Sequence, residues 1–339
     1  MSVLITKQGL LDTIQDAGRY GYQHLGINPG GAMDIVAATV ANMLAGNDKD
    51  EAVIELHFPA STFLFEDDCM IAISGADFHA TINNESIPLN TAVIVAKGSV
   101  LQFTQYKHGG RCYLAAHGGW DIDYWLNSYS TNIKAAAGGY KGRALKKNDM
   151  LHLKTAQYIF SAQIENSFAA LPVHAEVSPY YSHSQKIRCV AGNEYNWLTD
   201  DAEEIFEFSF FRITVNSDRM GYCLHGNVLK ATNNSQSPAD KQLISSAVTR
   251  GTIQLLPSGE LIILMADHQT TGGYPKIAHV IYADMPKLAQ MQPNEFIQFE
   301  LVTYSEAEYI YIEQQQYLQQ LEDTINLQLR RFFSSNAYY

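Results

Sequence analysis

Apolar and polar positions alternate with period two along many short runs, and turn residues separate the runs. Residues 2–6 read as a strand, followed by Val53–His57, Thr62–Phe65, Met70–Ser74, Phe78–Ile82, Ala92–Ala96, Val100–Thr104 and Arg111–Ala116. Strands this short at this spacing predict an all-β barrel or sandwich. Asn83-Asn84 and Lys97-Gly98 supply turns between them. Lys147-Asn148-Asp149 then leads into an alternating strand ending at Leu153. Further on, Lys186–Val190, Phe211–Val215, Thr252–Leu256, Leu261–Met265 and Ile277–Ile281 repeat the pattern, and Pro293-Asn294-Glu295 leads into Phe296–Phe299. Each half therefore ends on a polar turn and an alternating strand, which predicts two similar β domains, residues 1–154 and 186–304. Periodicity fades over 155–185, where Pro172 and Pro179 interrupt it, and that stretch reads as a linker.

Three stretches have helical periodicity instead. Met33, Val36, Ala37, Val40, Ala41 and Leu44 share one face of a helix, with Asp34 in its first turn and Gly46 at its C-terminal end. A second helix is expected around Glu194–Phe206. The third is a long helix that ends near Arg330 within residues 305–339, a tail following it; Ser305 and Glu308 form a capping-box pattern at its start. Ile310, Tyr317, Leu318, Leu321, Ile325 and Leu329 line one side of it, as a helix packed on its own domain would require.

The net charge of −12 argues against a nucleic-acid footprint. Cys69, Cys112, Cys189 and Cys223 lack CxxC spacing and read as small buried hydrophobes of a reducing compartment. There is no signal-peptide pattern, and no apolar run reaches the roughly 18 residues of a membrane span. A cytoplasmic protein, binding neither membrane nor nucleic acid, is the expectation.

Several catalytic devices are missing: GxxxxGK[ST], GxGxxG after a strand, HExxH and GxSxG. The histidines are dispersed, so no metal site is expected. No lysine stands between two methionines as in a biotin attachment site, so any biotin arrives on another chain. What remains is four clusters of polar residues and glycines: Gln15–Gly26, Asn28–Asp34, Ser217–Gly226 and Asp267–Pro275. The last lies between two strand-length apolar runs. It reads either as a tight hairpin with a polar turn or as a binding loop. Arg219 could clamp a carboxylate bidentately or pair with a local acid such as Asp218. Asp16 and Asp267 could move protons if burial raised their pKa values, or could simply cap turns.

Gly9-Leu10-Leu11 with Thr13-Ile14-Gln15-Asp16-Ala17-Gly18-Arg19 and Gly21-Tyr22 resembles the opening motif of a known family. It is the biotin-dependent carboxyltransferase or allophanate hydrolase subunit 2 family, which includes KipA and the C subunit of 5-oxoprolinase. Gly31-Ala32-Met33-Asp34, Ser74-Gly75-Ala76-Asp77, Tyr113-Leu114-Ala115, Gly118-Gly119, Gly138-Gly139, Gly142-Arg143-Ala144-Leu145, Asp218-Arg219-Met220-Gly221-Tyr222 and Ala266–Pro275 continue the match. It runs from about residue 3 to residue 300. The chain departs from the pattern at Tyr129, where the family often has arginine, at Asp218 for asparagine, and at Cys223 for arginine.

The resemblance implies a mainly β protein, with two cyclophilin-like β-barrel domains and a cleft between them, to which this chain adds the long C-terminal helix. It implies a carboxyltransferase-like subunit of an amide- or lactam-processing enzyme, foremost a 5-oxoprolinase. Its partners would be a KipI-like B subunit and a LamB/YcsF-type A subunit, with ATP or biotin arriving only through them. A KipA-like regulator and a urea- or allophanate-type carboxyltransferase are the alternatives. On this reading Arg19 and Arg219 stabilise charge, and Asp16 or Asp267 handles a proton. Gln15, Gln269, Thr270 and Thr271 orient the substrate, and Asp34, Tyr222 and Tyr274 complete its binding.

Overall fold

The computed structural model describes residues 1–154, 167–181, 185–230 and 243–336. The chain divides into two compact units. One holds Met1–Arg19, Gly30–Pro179 and the chain from Tyr317 onward; the other holds Tyr20–Pro29 and Tyr180–Gln316.

The first unit contains β1 (Ser2–Lys7), β2 (Thr13–Gln15), α1 (Ile35–Leu44), β3 (Val53–Leu56), β4 (Thr62–Phe65), β5 (Cys69–Asp77) and β6 (Ala80–Ile82). It continues with β7 (Glu85–Ser86), β8 (Thr91–Val95), β9 (Val100–Phe103), β10 (His108–Ala116), β11 (Met150–His152) and β12 (Phe168–His174). They form two six-stranded sheets, ordered β11-β1-β4-β9-β6-β7 and β12-β8-β5-β10-β3-β2. Val3, Ile5, Phe63 and Leu101 of the first sheet share one core with Ile54, Ile71, Ile73, Val93 and Leu114 of the second.

The alternate residues of the second sheet, such as Met70, Ala72, Ile94 and Tyr113, are equally buried, because α1 lies against β5, β10 and β3. That is why its strands read as continuous apolar runs. Val36 to Leu44 of α1 are all buried, not just the one face that periodicity predicts. Asp34 is its N-cap, accepting from Ala37 N at 3.0 Å, and Gly46 follows the helix at φ +69°.

Within 155–185, residues 155–166 and 182–184 lie outside the described residues. The expected linker nonetheless contains a strand, β12, at the edge of the second sheet. Pro172 breaks the periodicity there, yet an edge position tolerates the missing N–H.

The second unit contains β13 (Lys186–Ala191), α2 (Asp200–Phe208), β14 (Phe211–Ile213), β15 (Gly221–His225), β16 (Ser246–Ala247) and β17 (Thr252–Leu255). β18 (Leu261–Leu264), β19 (Thr271–Gly272), β20 (Lys276–Val280), α3 (Met285–Gln290) and β21 (Phe296–Leu301) complete it. Seven strands close a barrel in the order β13-β20-β17-β18-β15-β14-β21, and the parallel pair β13–β21 shuts it with Lys186 opposite Gln298. The helix expected over Glu194–Phe206 is a 3-10 turn at Tyr195–Trp197 followed by α2. Thr199 sets the start of α2 by capping Ala202 N at 3.2 Å, and Asp200, Asp201 and Glu203 favour its positive end. Phe206 then stacks on Phe299 with ring centroids 4.6 Å apart.

Asn148 and Asn294, in the two closing turns, both hold left-handed φ angles just before β11 and β21. The last helix, α4, spans Tyr304–Asn336. Its capping box is Thr303 and Glu306, two residues before the expected pair: Thr303 N and Oγ1 both donate to Glu306 at 2.8 Å, and Glu306 N donates back to Thr303 Oγ1 at 3.2 Å. Ala307 and Ile310 pack on Val190, Ile281 and Ala283 of the second unit. Leu318, Ile325 and Leu329 are buried farther along, so the helix packs on its own chain. No helix among the described residues is long and apolar enough to cross a membrane. Cys69, Cys112 and Cys189 are buried and Cys223 half-buried, all as free thiols.

Candidate functional site

In the first unit the residues after β2 knot two loops together. Asp16 is buried, and its carboxylate accepts from Gly18 N (2.8 Å), Ser128 Oγ (2.8 Å), Tyr129 N (2.6 Å) and Ser130 Oγ. Four donors on one carboxylate make it the organiser of the Ser128–Ser130 loop. Arg19, with no exposed surface, donates from Nε to Trp125 O (3.2 Å) and from Nη2 to Ser130 O (2.6 Å), and its guanidinium lies 4.2 Å from the Trp125 ring centroid. Gln15 is buried beside them and donates to Thr13 Oγ1 at 2.9 Å.

The N-terminus of α1 carries a second network, which sequence reasoning missed except for Asp34. Tyr113 Oη accepts from Asp34 N (2.7 Å) and donates to Glu55 Oε2 (2.8 Å), which also accepts from Met33 N (2.8 Å). Arg111 Nε lies 4.0 Å from Glu55 Oε1. Burial, then the negative charges of Glu55 and Asp34, push the Tyr113 phenol well above its ordinary pKa. The signal in the sequence was a lone Glu inside the apolar strand Val53-Ile54-Glu55-Leu56. Asp12 was missed as well. It accepts from His57 N (3.1 Å) and Ser61 N (2.7 Å), and burial raises its pKa to about 6 against the lowering effect of those bonds.

In the second unit, the Asp267–Pro275 stretch is not a hairpin. β18 pairs with β15 and β17, and β20 with β17 and β13, so the stretch crosses over β17. Its middle, β19, pairs instead with β16 in a short ribbon: Ser246 opposite Gly272 and Ala247 opposite Thr271. At its start Asp267 takes two hydrogen bonds from Arg219, Nε at 2.9 Å and Nη2 at 3.0 Å, and Asp267 N donates to Arg219 O at 2.7 Å. Asp218 is not Arg219's partner: its Oδ1 accepts from Met220 N (2.7 Å) and Gly221 N (3.2 Å) to shape the turn. Asn28, on the Tyr20–Pro29 segment, donates to Asp267 O at 3.1 Å.

Three separate pieces of chain thus meet at Asp267. His268 is buried and its Nδ1 faces Gln269 O; burial holds its pKa below the ordinary imidazole value. Gln269 and Thr270 are half-buried, Thr271 and Tyr274 exposed, and Tyr222 is buried on β15. Beneath the ribbon, Lys276 Nζ donates to Ser246 Oγ (2.6 Å) and lies 3.8 Å from Glu194 Oε2. These two, with Gln254 beside them, were also missed; polar residues inside the β17 and β20 text were the signal.

A family model described as "Carboxyltransferase domain, subdomain A and B" matches residues 25–301. The chain belongs to the carboxyltransferase domain family. It is 34% identical over 317 residues to the C subunit of 5-oxoprolinase from Escherichia coli (strain K12), covering 94% of this chain and 96% of that protein. It is 33% identical over 314 residues to the C subunit of 5-oxoprolinase from Haemophilus influenzae, covering 93% and 96%. Among solved structures, the Kluyveromyces lactis urea carboxylase superposes with a TM-score of 0.84 at 26% identity, over 96% of this chain but 29% of that one. The chain therefore spans less than a third of that longer enzyme.

This carboxyltransferase domain has Tyr129 where arginine was expected, and the structure places a cation there from elsewhere. Lys154 Nζ donates to Tyr129 Oη at 2.7 Å and lies 4.1 Å from its ring centroid. Glu51 accepts from the same Nζ at 2.7 and 2.8 Å. Burial alone would lower the lysine's pKa, but the bonds to Glu51 and Tyr129 outweigh it, and the ammonium is held charged.

Proposed function

We propose that this chain is the C subunit of a 5-oxoprolinase, acting in the ATP-dependent opening of 5-oxoproline to glutamate. The carrying observation is a match that spans both proteins: 34% identity over 94% of this chain and 96% of a relative that is itself one subunit of an enzyme. The urea amidolyase of Saccharomyces cerevisiae is matched over 89% of this chain but 17% of its own length. The match to the C subunit of 5-oxoprolinase, which is nearly end to end in both sequences and higher in identity, favours that reading.

Opening a lactam requires a neutral amide to be held while charge develops on its carbonyl oxygen, and preorganised donors do this best. In the second unit, the loop 267–275 offers such groups on a base fixed by the Arg219–Asp267 pair. Gln269, Thr270 and Thr271 orient the substrate on this reading, with Arg219 stabilising charge and Asp267 holding Arg219 in place. Asp16 and Arg19 shape the loops of the first unit. On this reading ATP enters with the partner A and B subunits, and any biotin likewise arrives on another chain.

Reconstitution tests the proposal. The chain alone should show no ATP-driven loss of 5-oxoproline, and mixing it with the A and B subunits should restore turnover. Turnover by the single chain, or turnover of urea but not 5-oxoproline by the assembly, would overturn it.

A further inference from the structure

The corner of the second unit where α2 runs into β14 exposes aromatic rings. Phe211 and Ile213 of β14 are buried in the barrel with Ile297 and Phe299 of β21, so the alternate positions of these strands face outward. Phe210, just before β14, and Phe296 are on that outer side, 51% and 45% exposed. Phe296 is opposite Arg212, two residues from Phe210, which makes the two rings diagonal neighbours. Phe208, the last residue of α2, is 70% exposed. Asn227 Nδ2 donates to Ser209 Oγ at 3.2 Å and so holds the exposed Val228 at the same corner. Inside the barrel, Phe206 and Phe211 pack on Phe299 with ring centroids 4.6 and 5.6 Å away. Phe208, Phe210 and Phe296 contact no other ring among the described residues.

Single apolar residues on a surface need no explanation, but rings grouped beside unmatched charge mark an interaction face. The charge comes from α2. Asp201, Glu204 and Phe208 share its outward stripe at i, i+3 and i+7 spacing, and all three are exposed. Asp200, Asp201, Glu203 and Glu204 have no ion-pair partner among the described residues. Arg212, on the strand side of the patch, donates to Asn294 Oδ1 at 3.2 Å rather than to these acids. We propose that this corner is the docking face for a partner subunit, a different protein whose own face carries apolar side chains ringed by lysine or arginine. That the partner is a 5-oxoprolinase subunit rests on the functional reading above. A second copy of this chain is a poor match, because a two-fold interface on this patch sets the acids of one α2 against those of the other. Basic side chains of a different protein match them, with the rings as the desolvated centre and the carboxylates as the rim.

The test measures binding of the purified chain to the purified A and B subunits, alone and mixed, by biolayer interferometry. The native chain should bind, with association slowing as NaCl is raised from about 50 to about 500 mM. Phe208→Ser and Phe210→Ser should each weaken that binding about tenfold or more, with the melting temperature unchanged because both rings stand in solvent. Glu204→Lys should slow association several-fold. Binding of all three variants within about twofold of the native chain overturns the proposal and leaves the 5-oxoprolinase reading standing. Should Phe210→Ser melt early, Phe208→Ser and Glu204→Lys, on the outward stripe of α2, decide by the same criterion. Sedimentation of the chain alone tests the other occupant: a native dimer that Phe208→Ser makes monomeric overturns the proposal in favour of a second copy. A native chain that binds neither subunit, alone or mixed, overturns the 5-oxoprolinase reading and this proposal with it.

Discussion

Arg219 and Asp267 face each other through two parallel hydrogen bonds, 2.9 and 3.0 Å, with side chains only 6% and 17% exposed. The pair joins the turn before β15 to the loop after β18, and two backbone bonds, Asp267 N to Arg219 O (2.7 Å) and Met265 N to Met220 O (3.0 Å), run beside it. A residue suited to chemistry thus also holds its loop in place. Removing one partner of such a pair strands the other's charge in a low-dielectric setting.

Asp267→Asn should therefore destabilise the fold by about 3–5 kcal/mol, because Arg219 cannot lose its charge. Arg219→Lys keeps a charge against Asp267 but gives up the planar fork, and should cost about 1–2 kcal/mol. Urea unfolding followed by far-ultraviolet circular dichroism measures both. An Arg219→Lys midpoint as low as that of Asp267→Asn would mean that the fork geometry, and not the charge alone, carries the pair.

Much of the fold was legible because its strands are short and their turns carry the residues that left-handed backbone demands. Thr62–Phe65 forms the strand expected of it, and Asn83, Asn84 and Gly98 hold the positive φ angles their turn positions require. What could not be read is how strands pair at a distance. A polar stretch between Leu261–Leu264 and Lys276–Val280 is compatible with a hairpin until β17 is found lying between them. The same limit hid the partners of the candidate site residues. Asp16 meets Ser128 and Ser130 more than a hundred positions away, and nothing in the local text announces it. Asp218, adjacent to Arg219, was the natural guess, and it is occupied by its own turn.

Asp12 makes a pH prediction. Burial raises its pKa from 3.8 to about 6 in the folded chain. For an acid, a raised folded pKa means that the folded state binds more protons than the unfolded state between those two values. The contribution of Asp12 to stability is therefore greatest below about pH 4 and is lost as pH rises through about 6, by roughly 3 kcal/mol for a shift of this size. Other acids slope the other way, Asp149 among them: burial opposes its ionisation, but hydrogen bonds from Arg143 and Lys146 N outweigh that and hold its pKa down. The observable is thus a difference. Urea midpoints of the native chain minus those of Asp12→Asn should decline between about pH 4 and pH 7. A flat difference would show that Asp12 titrates normally.

Thr303 and Glu306 cap α4 reciprocally, whereas Ser305 lies within the helix. Thr303→Ala should cost about 1 kcal/mol, the usual worth of an N-cap hydroxyl, and Ser305→Ala should cost nothing measurable. Thermal melts of the two variants separate these outcomes. A larger loss for Ser305→Ala would place the start of the helix two residues later.

Two glycines separate backbone strain from steric conflict. Gly26, at φ +79°, has nothing within 4 Å of the position a Cβ would take. Gly26→Ala should therefore cost only the strain of a left-handed alanine, about 1 kcal/mol. Gly138, at φ +65°, is different: a Cβ there would lie 2.3 Å from Ser130 O and 2.8 Å from Arg19 Nη2. Both atoms belong to the hydrogen bond that holds Arg19, and one of them is backbone, so neither can yield cheaply. Gly138→Ala must push the Ser128–Thr131 loop away or break the 2.6 Å bond between Arg19 and Ser130. The expected cost is about 3 kcal/mol or more, combining backbone strain with loss of a charge-assisted bond inside the protein. Parallel urea titrations of the two alanine variants measure the contrast. Equal losses would show that the loop relaxes freely, and that Arg19 is not held by the contacts seen here.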